Sequence, residues 1–236
     1  MLSNIWFAAV ITLVLALAWL RINDYFAHRG WISGRLSRKI IHMGTGPIFV
    51  LCWLLFPNHP AARYLAAFVP LAFSIQFLLI GLGVIKDQPS VDAMSRHGDP
   101  REILRGPLLY GVVFVVLTIL YWKDHPAGIM ALMLLCGGDG LADIVGRLNR
   151  GPRLPWSPQK SVIGSLGMFF GGWLFAVIVL AIFYQQGIFV GTITGALWKI
   201  TAIAIIGTVI ESLPFHDIDN ITVTTTAVIL GHLFNL

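Results

Sequence analysis

Residues 136–165, CGGDGLADIVGRLNRGPRLPWSPQKSVIGS, connect the end of one apolar run to the start of another. Two carboxylates, Asp139 and Asp143, lie near its beginning, and residues i and i+4 share one face of a helix. A polar segment with prolines and cations follows, with Arg147, Arg150, Arg153 and Lys160. The stretch predicts two helices that leave a membrane at a polar surface, where acids, glycines and cations could hold a metal ion and a polyphosphate.

The composition is that of a membrane protein. Of the 236 residues, 57% are hydrophobic and 11% are charged, whereas a soluble domain carries roughly 25% charged residues. Backbone groups inside a bilayer must find partners within the protein, and no strand-like alternation is present, so the spans are expected to be helices. The sequence therefore predicts an all-α polytopic transmembrane bundle, with one domain over residues 1–236. The net charge of +5 is spread over short loops, which argues against nucleic-acid binding.

Eight apolar runs are candidates to cross a bilayer, for which a helix needs about 17–25 residues. They lie near 4–20, 40–57, 64–85, 107–122, 128–146, 162–184, 195–212 and 221–235. A count of seven stays open, because several runs are short. The first run lacks the charged start and the cleavage site of a signal peptide, so we expect it to be retained.

Positive charge is concentrated on one predicted side of the membrane. With eight spans, the segments 21–39, 86–106, 147–160 and 213–220 share a side. They hold every Lys and Arg except Arg63, Lys123 and Lys199. Because short loops rich in Lys and Arg mark the cytoplasmic side, we expect the polar motifs to face the cytoplasm.

Asp139 and Asp143 are the first candidate site. An Asp near the membrane interior costs about 2.5–3.5 kcal/mol on insertion scales, so such residues usually have a function. Two carboxylates on one helix face suit Mg²⁺, which binds one or two carboxylates together with substrate phosphates. Gly138 and Gly140 remove side-chain bulk where a ligand would approach the backbone. The alternative is a helix end at which Asp143 pairs with Arg147.

The motif KSVIGS is the second candidate site. Lys160 and Ser161 precede a predicted helix, and Gly164 and Ser165 lie in its first turn. The N–H groups at a helix start can hold phosphate. No GxxxxGK[ST] pattern precedes the motif, so it is not a Walker site, and Lys160 could equally be an anchor at the membrane edge.

The motifs RKIIH and REILRGP add cations on the same predicted side, namely Arg38, Lys39, Arg101 and Arg105. Arg suits bidentate contact with phosphate, although an Arg-Lys pair is also a common snorkelling anchor. His42 lies one turn inside the membrane edge, where a lone His is more often a satisfied helix residue than a catalyst. Glu102 precedes Arg105 by three residues and could form a surface ion pair with it.

The C-terminal segment ESLPFHDIDNITVT carries the last group of candidates. They are Glu211, Asp217, Asp219, Asn220 and Thr222. The sequence leaves three interpretations: solvated loop acids, a second carboxylate set for a metal ion, or N-capping of the last helix by Asn220.

Taken together, RKIIH, REILRGPLLY, GDGLADIVGR, KSVIGS, ESLP and DIDNITVT resemble the motifs of the phytol kinase branch of the polyprenol kinases, a family that includes dolichol and farnesol kinases. The resemblance runs from Arg38 to Thr225. It implies a multi-span enzyme that transfers a phosphoryl group from a nucleoside triphosphate, usually CTP, to a lipid-soluble isoprenoid alcohol such as phytol, geranylgeraniol or farnesol. Plant members carry a plastid transit peptide, so its absence here predicts a bacterial or cyanobacterial inner-membrane or thylakoid protein with a cytoplasmic active site.

The resemblance also implies roles for the candidate residues. Mg²⁺ would be held by Asp139, Asp143 and Asp219. The phosphates of CTP would contact Arg38, Lys39, Arg101, Arg105, Gly138, Gly140, Gly146, Arg147, Lys160, Ser161, Gly164 and Ser165. An aspartate or His42 would accept the hydroxyl proton, and the sequence does not choose between them.

Several alternatives remain at this stage. The protein could be a phosphatidate-type cytidylyltransferase, another lipid kinase acting on dolichol or diacylglycerol, or a transporter without catalytic activity. The sequence leaves open the choice between CTP and ATP, the chain length of the prenol and the oligomeric state. Membrane lipid is an expected partner in every case.

Overall fold

The computed structural model describes residues 4–95, 97–148, 151–214 and 218–236. Its α-helices are α1 (Ile5–His28), α2 (Gly34–Cys52), α3 (Ala62–Gly81), α4 (Gln88–Met94), α5 (Gly106–Tyr121), α6 (Pro126–Met133), α7 (Asp139–Leu148), α8 (Val162–Gln185), α9 (Ile193–Ser212) and α10 (Asp219–Leu233). Short 3-10 helices occupy Trp53–Leu55 and Pro100–Leu104, and a π-helical turn occupies Leu134–Gly138. A small antiparallel hairpin of β1 (Arg153–Leu154) and β2 (Ser157–Ser161) lies between α7 and α8. The predicted all-α polytopic bundle is confirmed.

Six helical segments of the described chain are long and apolar enough to cross a membrane. They are Ile5–His28, Ala62–Gly81, Pro100–Tyr121, Pro126–Leu148, Val162–Gln185 and Ile193–Ser212. The other two predicted spans, near 40–57 and 221–235, fall short of these criteria. Helix α2 carries Arg35, Arg38 and Lys39 in its first two turns, and α10 has 15 residues. The predicted sidedness of the loops before α3 depends on α2 crossing the membrane, so it stays a prediction.

The chain divides into two compact units. The first runs from the N-terminal helix to Ile41 and from Cys52 to Leu120, and the second comprises His42–Leu51 and Tyr121–Leu236. Helices α2 and α5 each contribute residues to both units. The single-domain prediction stays a prediction.

In the first unit, apolar contacts hold the REILRGP segment in place. Ile80 of α3, Val91 of α4 and Ile103 of the following 3-10 helix form a buried cluster. Elsewhere in this unit, the indole Nε1 of Trp19 donates to the main-chain oxygen of Ile41 at 3.3 Å. The cluster therefore ties the segment between α3 and α5, which carries two of the candidate arginines, to the end of α3.

The core of the second unit is α6 with the π-helical turn, which are buried from Pro126 to Gly138. A helix that is apolar on every side belongs in a core, and α8, α9 and α10 pack on this one. A Cβ on Gly231 of α10 would lie 2.5 Å from the Cβ of Ala127. The helices of this unit therefore approach closely, as small interface residues allow.

Glycines set the approach of α7 and α8. A Cβ on Gly171 would lie 2.2 Å from the main-chain oxygen of Gly137, and one on Gly146 would lie 3.3 Å from the Cα of Gly164. Because the partner numbers fall along α8 as they rise along α7, the two helices run antiparallel. This glycine seam (Gly137, Gly146, Gly164 and Gly171) holds α7, which carries both candidate aspartates, along the first half of α8.

Candidate active site

The first candidate aspartate begins a helix directly after an irregular turn. The π-helical turn covers Leu134–Gly138, and α7 starts at Asp139. Single π turns inside helices are frequent at functional sites. The sequence predicted a membrane span near 128–146 and did not predict the π turn within it.

Asp139 lies against His42. The imidazole Nε2 of His42 is 3.2 Å from Oδ2 of Asp139 and 3.3 Å from the main-chain oxygen of Leu135. In the tautomer with hydrogen on Nε2, the ring donates to both oxygens. The His42 side chain is 20% exposed and that of Asp139 is 40% exposed. The carboxylate is therefore oriented by the ring and still open to a ligand.

Asp143, the second candidate aspartate, pairs with Arg147. Nε of Arg147 donates to Oδ1 of Asp143 at 2.6 Å, and the Asp143 side chain is 17% exposed. This is the helix-end ion pair that the sequence left as an alternative. The two aspartates are four residues apart on α7, as predicted, but their carboxylates have different partners.

Lys160 of β2 joins the ends of two other helices. Its Nζ lies 2.9 Å from Oε1 of Glu211, at the end of α9, and 3.1 Å from Oδ2 of Asp219, the first residue of α10. It also donates to the main-chain oxygen of Glu211. Helices α8 and α9 pack antiparallel, with Trp173 of α8 bonded to Thr201 of α9. The start of α8 and the end of α9 therefore lie at the same end of the unit. Glu211 and Asp219 lie 51 and 59 residues after Lys160 in the sequence, yet both contact its ammonium group.

Electrostatics connect these groups to Asp139. Burial lowers the pKa of Lys160, but the hydrogen bonds and charges of Glu211 and Asp219 outweigh it, so the pKa of Lys160 is raised. The charges of Asp139 and Asp219 both act on the Glu211 carboxylate. Two carboxylates, Glu211 and Asp219, therefore share one lysine, and a third, Asp139, is near enough to Glu211 for its charge to act on it. We call these three residues the acidic cluster.

The start of α8 lies directly after Lys160. Ser161 is the N-cap residue, and its Oγ accepts a hydrogen bond from the N–H of Gly164 at 3.1 Å. One turn later, the Oγ of Ser165 is buried and has no hydrogen-bond partner among the described residues. A buried hydroxyl without a partner costs about 1–3 kcal/mol, which a ligand could recover. The sequence placed the Lys160 ammonium at this helix start, whereas the structure directs it to α9 and α10.

The glycines around Asp139 pack against other helices. A Cβ on Gly138 would lie 2.6 Å from Sδ of Met168, and one on Gly140 would lie 2.0 Å from Cγ of Met43. These contacts give a packing reason for glycine at both positions, as they do for Gly146 and Gly164 of the glycine seam. The predicted role of these glycines in phosphate binding stays a prediction.

Five candidate residues belong to the first unit: Arg38, Lys39, Arg101, Glu102 and Arg105. Arg38 donates to the main-chain oxygen of Ser95. Glu102 pairs with His97, whose Nδ1 is 2.6 Å from Oε1. Arg101 and Arg105 are exposed. Their predicted contacts with phosphate stay predictions.

The remaining candidates lie around the start of α10. The N-cap residue of this helix is Ile218, so the prediction that Asn220 caps it is wrong. Asn220 lies in the first turn, and its main-chain oxygen accepts from Oγ1 of Thr224. The hydroxyl of Thr222 donates to the main-chain oxygen of Asp219 at 3.3 Å. Asp217 lies outside the described residues.

The donor set suits a hard divalent cation. Within the ranges that the structure describes, no group of three or more His, Cys, Asp or Glu side chains is arranged as a complete metal site. Mg²⁺ characteristically takes one or two protein carboxylates and completes its shell with water and substrate phosphates. The acidic cluster offers carboxylate oxygens of this kind, and Asp139 is the member with the largest exposed fraction. The residues present therefore fit a magnesium ion that is shared with a bound nucleotide.

Comparison with known proteins gives several extended matches. The chain is 40% identical over 215 residues to the probable phytol kinase 1, chloroplastic, of Oryza sativa subsp. japonica, covering 90% of this chain and 68% of that protein. It is 37% identical over 225 residues to the farnesol kinase, chloroplastic, of Arabidopsis thaliana, covering 94% and 73%. It is 34% identical over 207 residues to the phytol kinase 1, chloroplastic, of the same plant, covering 87% and 68%.

No protein-family profile matches the chain, and no solved structure matches it. The three relatives named above are plant kinases described as chloroplastic. The predicted bacterial or cyanobacterial source therefore has no support from them, whereas the apolar helices agree with a protein of the membrane.

Proposed function

Because the chain belongs to the phytol kinase branch of the polyprenol kinases, and is thus a kinase acting on an isoprenoid alcohol, we propose that the acidic cluster and the start of α8 form its phosphoryl-transfer site. One observation carries the proposal. Lys160, immediately before α8, bonds to Glu211 and Asp219, and Asp139 acts electrostatically on Glu211. Motifs that are far apart in the chain are thereby brought to one end of the second unit.

The proposed donor is CTP, and the proposed acceptor is phytol or a related prenol such as geranylgeraniol or farnesol. Asp139 and Asp219 would hold Mg²⁺, which neutralises phosphate charge when it is bound. Asp143 remains a candidate ligand, although its partner Arg147 competes for its carboxylate. The exposed Arg147 would bind the phosphates, together with the buried hydroxyl of Ser165 near the start of α8.

Lys160 has two tasks in this proposal. Before the donor binds, the Lys160 ammonium holds the carboxylates of Glu211 and Asp219 close together. Without this cation the two negative charges would repel each other. When phosphates enter the cluster, the same ammonium adds positive charge to the site. The phosphate contacts that the motifs RKIIH and REILRGPLLY imply for Arg38, Lys39, Arg101 and Arg105 stay predictions.

The chemical step needs positioning and charge neutralisation more than covalent chemistry from the protein. The alcohol oxygen attacks the γ-phosphorus, the bond from that phosphorus to the β-phosphate oxygen breaks, and CDP leaves. We assign the hydroxyl proton to the Asp139–His42 pair, since the two groups are in contact and Asp139 is exposed. The prenol tail would remain among apolar helices or in lipid. We place this site on the cytoplasmic side, because the adjoining loop 147–160 is rich in Arg and Lys.

The test compares Asp139→Asn with Asp143→Asn in purified protein supplied with labelled CTP, Mg²⁺ and phytol. We expect Asp139→Asn to insert and purify normally but to lose phosphoryl transfer. Asp143→Asn should retain more activity, because Asp143 already has Arg147 as a partner. Release of CDP with a prenyl monophosphate supports a kinase, whereas release of pyrophosphate supports a cytidylyltransferase. Unchanged turnover in Asp139→Asn would remove Asp139 from the site.

A further inference from the structure

The hairpin before α8 carries an exposed tryptophan whose polar atom is bound to the protein. Trp156 lies in the turn between β1 and β2 and is 55% exposed. Its indole Nε1 donates to the main-chain oxygen of Ser212 at 3.2 Å and to its Oγ at 3.3 Å. The indole is therefore fixed at its N–H edge while much of its ring surface is open.

The position of this ring relates it to the acidic cluster. Ser212 follows Glu211 in α9, and Glu211 is bonded to Lys160. Lys160 itself lies in β2 of the same hairpin as Trp156. The hairpin is thus attached to two adjacent residues at the end of α9. Lys160 bonds to Glu211, and the indole of Trp156 bonds to Ser212. The ring lies beside the groups that are proposed to bind the donor phosphates.

A tryptophan at the edge of a membrane protein commonly belongs to an aromatic belt. In a belt the ring lies among apolar tails, while its N–H faces water or lipid headgroups. The N–H of Trp156 is instead committed to Ser212, and the hairpin around it is polar, with Ser157, Gln159 and Lys160 in β2. What the residue offers to the solvent is an aromatic face, and bases stack on such faces for about 1–3 kcal/mol each.

We infer that Trp156 is the base-stacking residue of the donor site, holding the nucleobase of the nucleoside triphosphate while the acidic cluster and the start of α8 hold its phosphates. The inference rests on the proposed function, because the position of the donor phosphates is taken from that proposal. It adds a subsite that binds the base by its π-face. Ser212 then acts as a positioning residue, since it fixes the ring through the indole N–H.

The test is a steady-state analysis of Trp156→Leu and Trp156→Phe, with Trp198→Leu as the matched control. Trp198 is 61% exposed and lies on α9, the helix that contains Ser212. It is about 21 Å along that helix from Ser212, at 1.5 Å per residue. Trp156→Leu should raise the KM for CTP by about 5- to 150-fold, the range that corresponds to the loss of one stacked base. Its kcat and its KM for the alcohol should change little.

Trp156→Phe separates stacking from the hydrogen bonds to Ser212. It keeps an aromatic face and loses the N–H, so its KM for CTP should lie between those of the native protein and Trp156→Leu. Titration with CTP and Mg²⁺ in the absence of alcohol should quench tryptophan fluorescence in the native protein and less in Trp156→Phe. This binding readout does not require an active enzyme.

An unchanged KM for CTP in Trp156→Leu would overturn the inference, as would an equal rise in Trp198→Leu. A rise confined to the KM for the alcohol would also overturn it and would assign the ring to the prenol or the lipid. These failures leave the proposed function standing as long as Asp139→Asn is inactive. Activity in Asp139→Asn together with a raised KM for CTP in Trp156→Leu would instead retain the base subsite and refute the role of Asp139.

Discussion

Removing the Lys160 ammonium should destabilise the second unit. In Lys160→Met, the Glu211 and Asp219 carboxylates lose the cation that they share, while their side chains remain 14% and 32% exposed. Deleting one partner of a buried ion pair costs about 3–5 kcal/mol, whereas exposed pairs contribute about 0–1 kcal/mol. The contact with the mostly buried Glu211 accounts for most of the expected loss, and the contact with the more exposed Asp219 adds little. We therefore expect the free energy of unfolding to fall by about 3 kcal/mol, the lower end of the range for buried pairs.

Thermal unfolding in detergent, followed with a thiol-reactive fluorophore, measures this effect. Cys52 and Cys136 are both buried thiols outside any disulfide, and Cys136 lies in the second unit. In a Cys52→Ser background, labelling therefore reports the exposure of Cys136. For a chain of this size, a loss of about 3 kcal/mol lowers the melting temperature by about 6–12 °C.

The matched control is Lys199→Met. Lys199 also lies on the second unit, and its ammonium donates to the main-chain oxygen of Asn235. The double variant Lys160→Met/Glu211→Gln should recover part of the lost stability, because it removes a carboxylate that Lys160→Met leaves exposed to repulsion. A melting temperature for Lys160→Met no lower than that of Lys199→Met would refute the account of the cluster.

Two further perturbations test other parts of the second unit. Gly171→Ala should destabilise this unit by about 1–3 kcal/mol, because its Cβ would meet the main-chain oxygen of Gly137. The control Gly195→Ala, whose Cβ would meet only Thr192 Oγ1 at 3.5 Å, should leave the melting temperature nearly unchanged. Equal melting temperatures for the two variants would contradict the glycine seam. Burial, and then the charge of His232, lower the pKa of His125 below 6.5. Folding thus favours the neutral form of His125. Because of this, the stability that His125 contributes above about pH 6.5 should be lost as the pH falls through its lower pKa in the folded protein. His125→Asn keeps an acceptor for the Ala127 N–H and should flatten that loss in a pH series of melting temperatures. An unchanged pH series in His125→Asn would contradict the assignment.

Helix positions were predicted well because their signals are local. The Gly106-Pro107 pair indicates a helix start, and α5 begins at Gly106. Pro214 indicates a helix end, and α9 ends at Ser212. Long apolar runs carry the remaining information, which is why the spans near 162–184 and 195–212 coincide with α8 and α9.

Contacts between distant motifs could not be predicted in the same way. Nothing in the sequence pairs His42 with Asp139 or Lys160 with Glu211, because such contacts depend on how the helices pack. The hairpin was missed because its strands are too short to show a period of two. The π turn was missed because its residues are as apolar as those of the helix before it.

The glycines show why one residue type supports two interpretations. A missing side chain admits either a ligand or a neighbouring helix, and the sequence does not separate these cases. Gly140 illustrates this, since a Cβ there would meet Met43 of another helix. A useful signal lay in the recurrence of glycine on both sides of the polar loop, in GGDG and in GSLGMFFGG, which is typical of closely packed membrane helices.

The most direct test of the site is metal binding by the purified protein with Mn²⁺ in place of Mg²⁺. Electron paramagnetic resonance counts bound Mn²⁺ in the presence of a non-hydrolysable CTP analogue and no alcohol, so the measurement is independent of turnover. We expect the native protein to bind Mn²⁺ in a nucleotide-dependent manner, and Asp139→Asn and Asp219→Asn to lose this binding while their melting temperatures remain measurable. Nucleotide-dependent Mn²⁺ binding that is equally tight in Asp139→Asn would contradict the claim that the acidic cluster is the phosphoryl-transfer site.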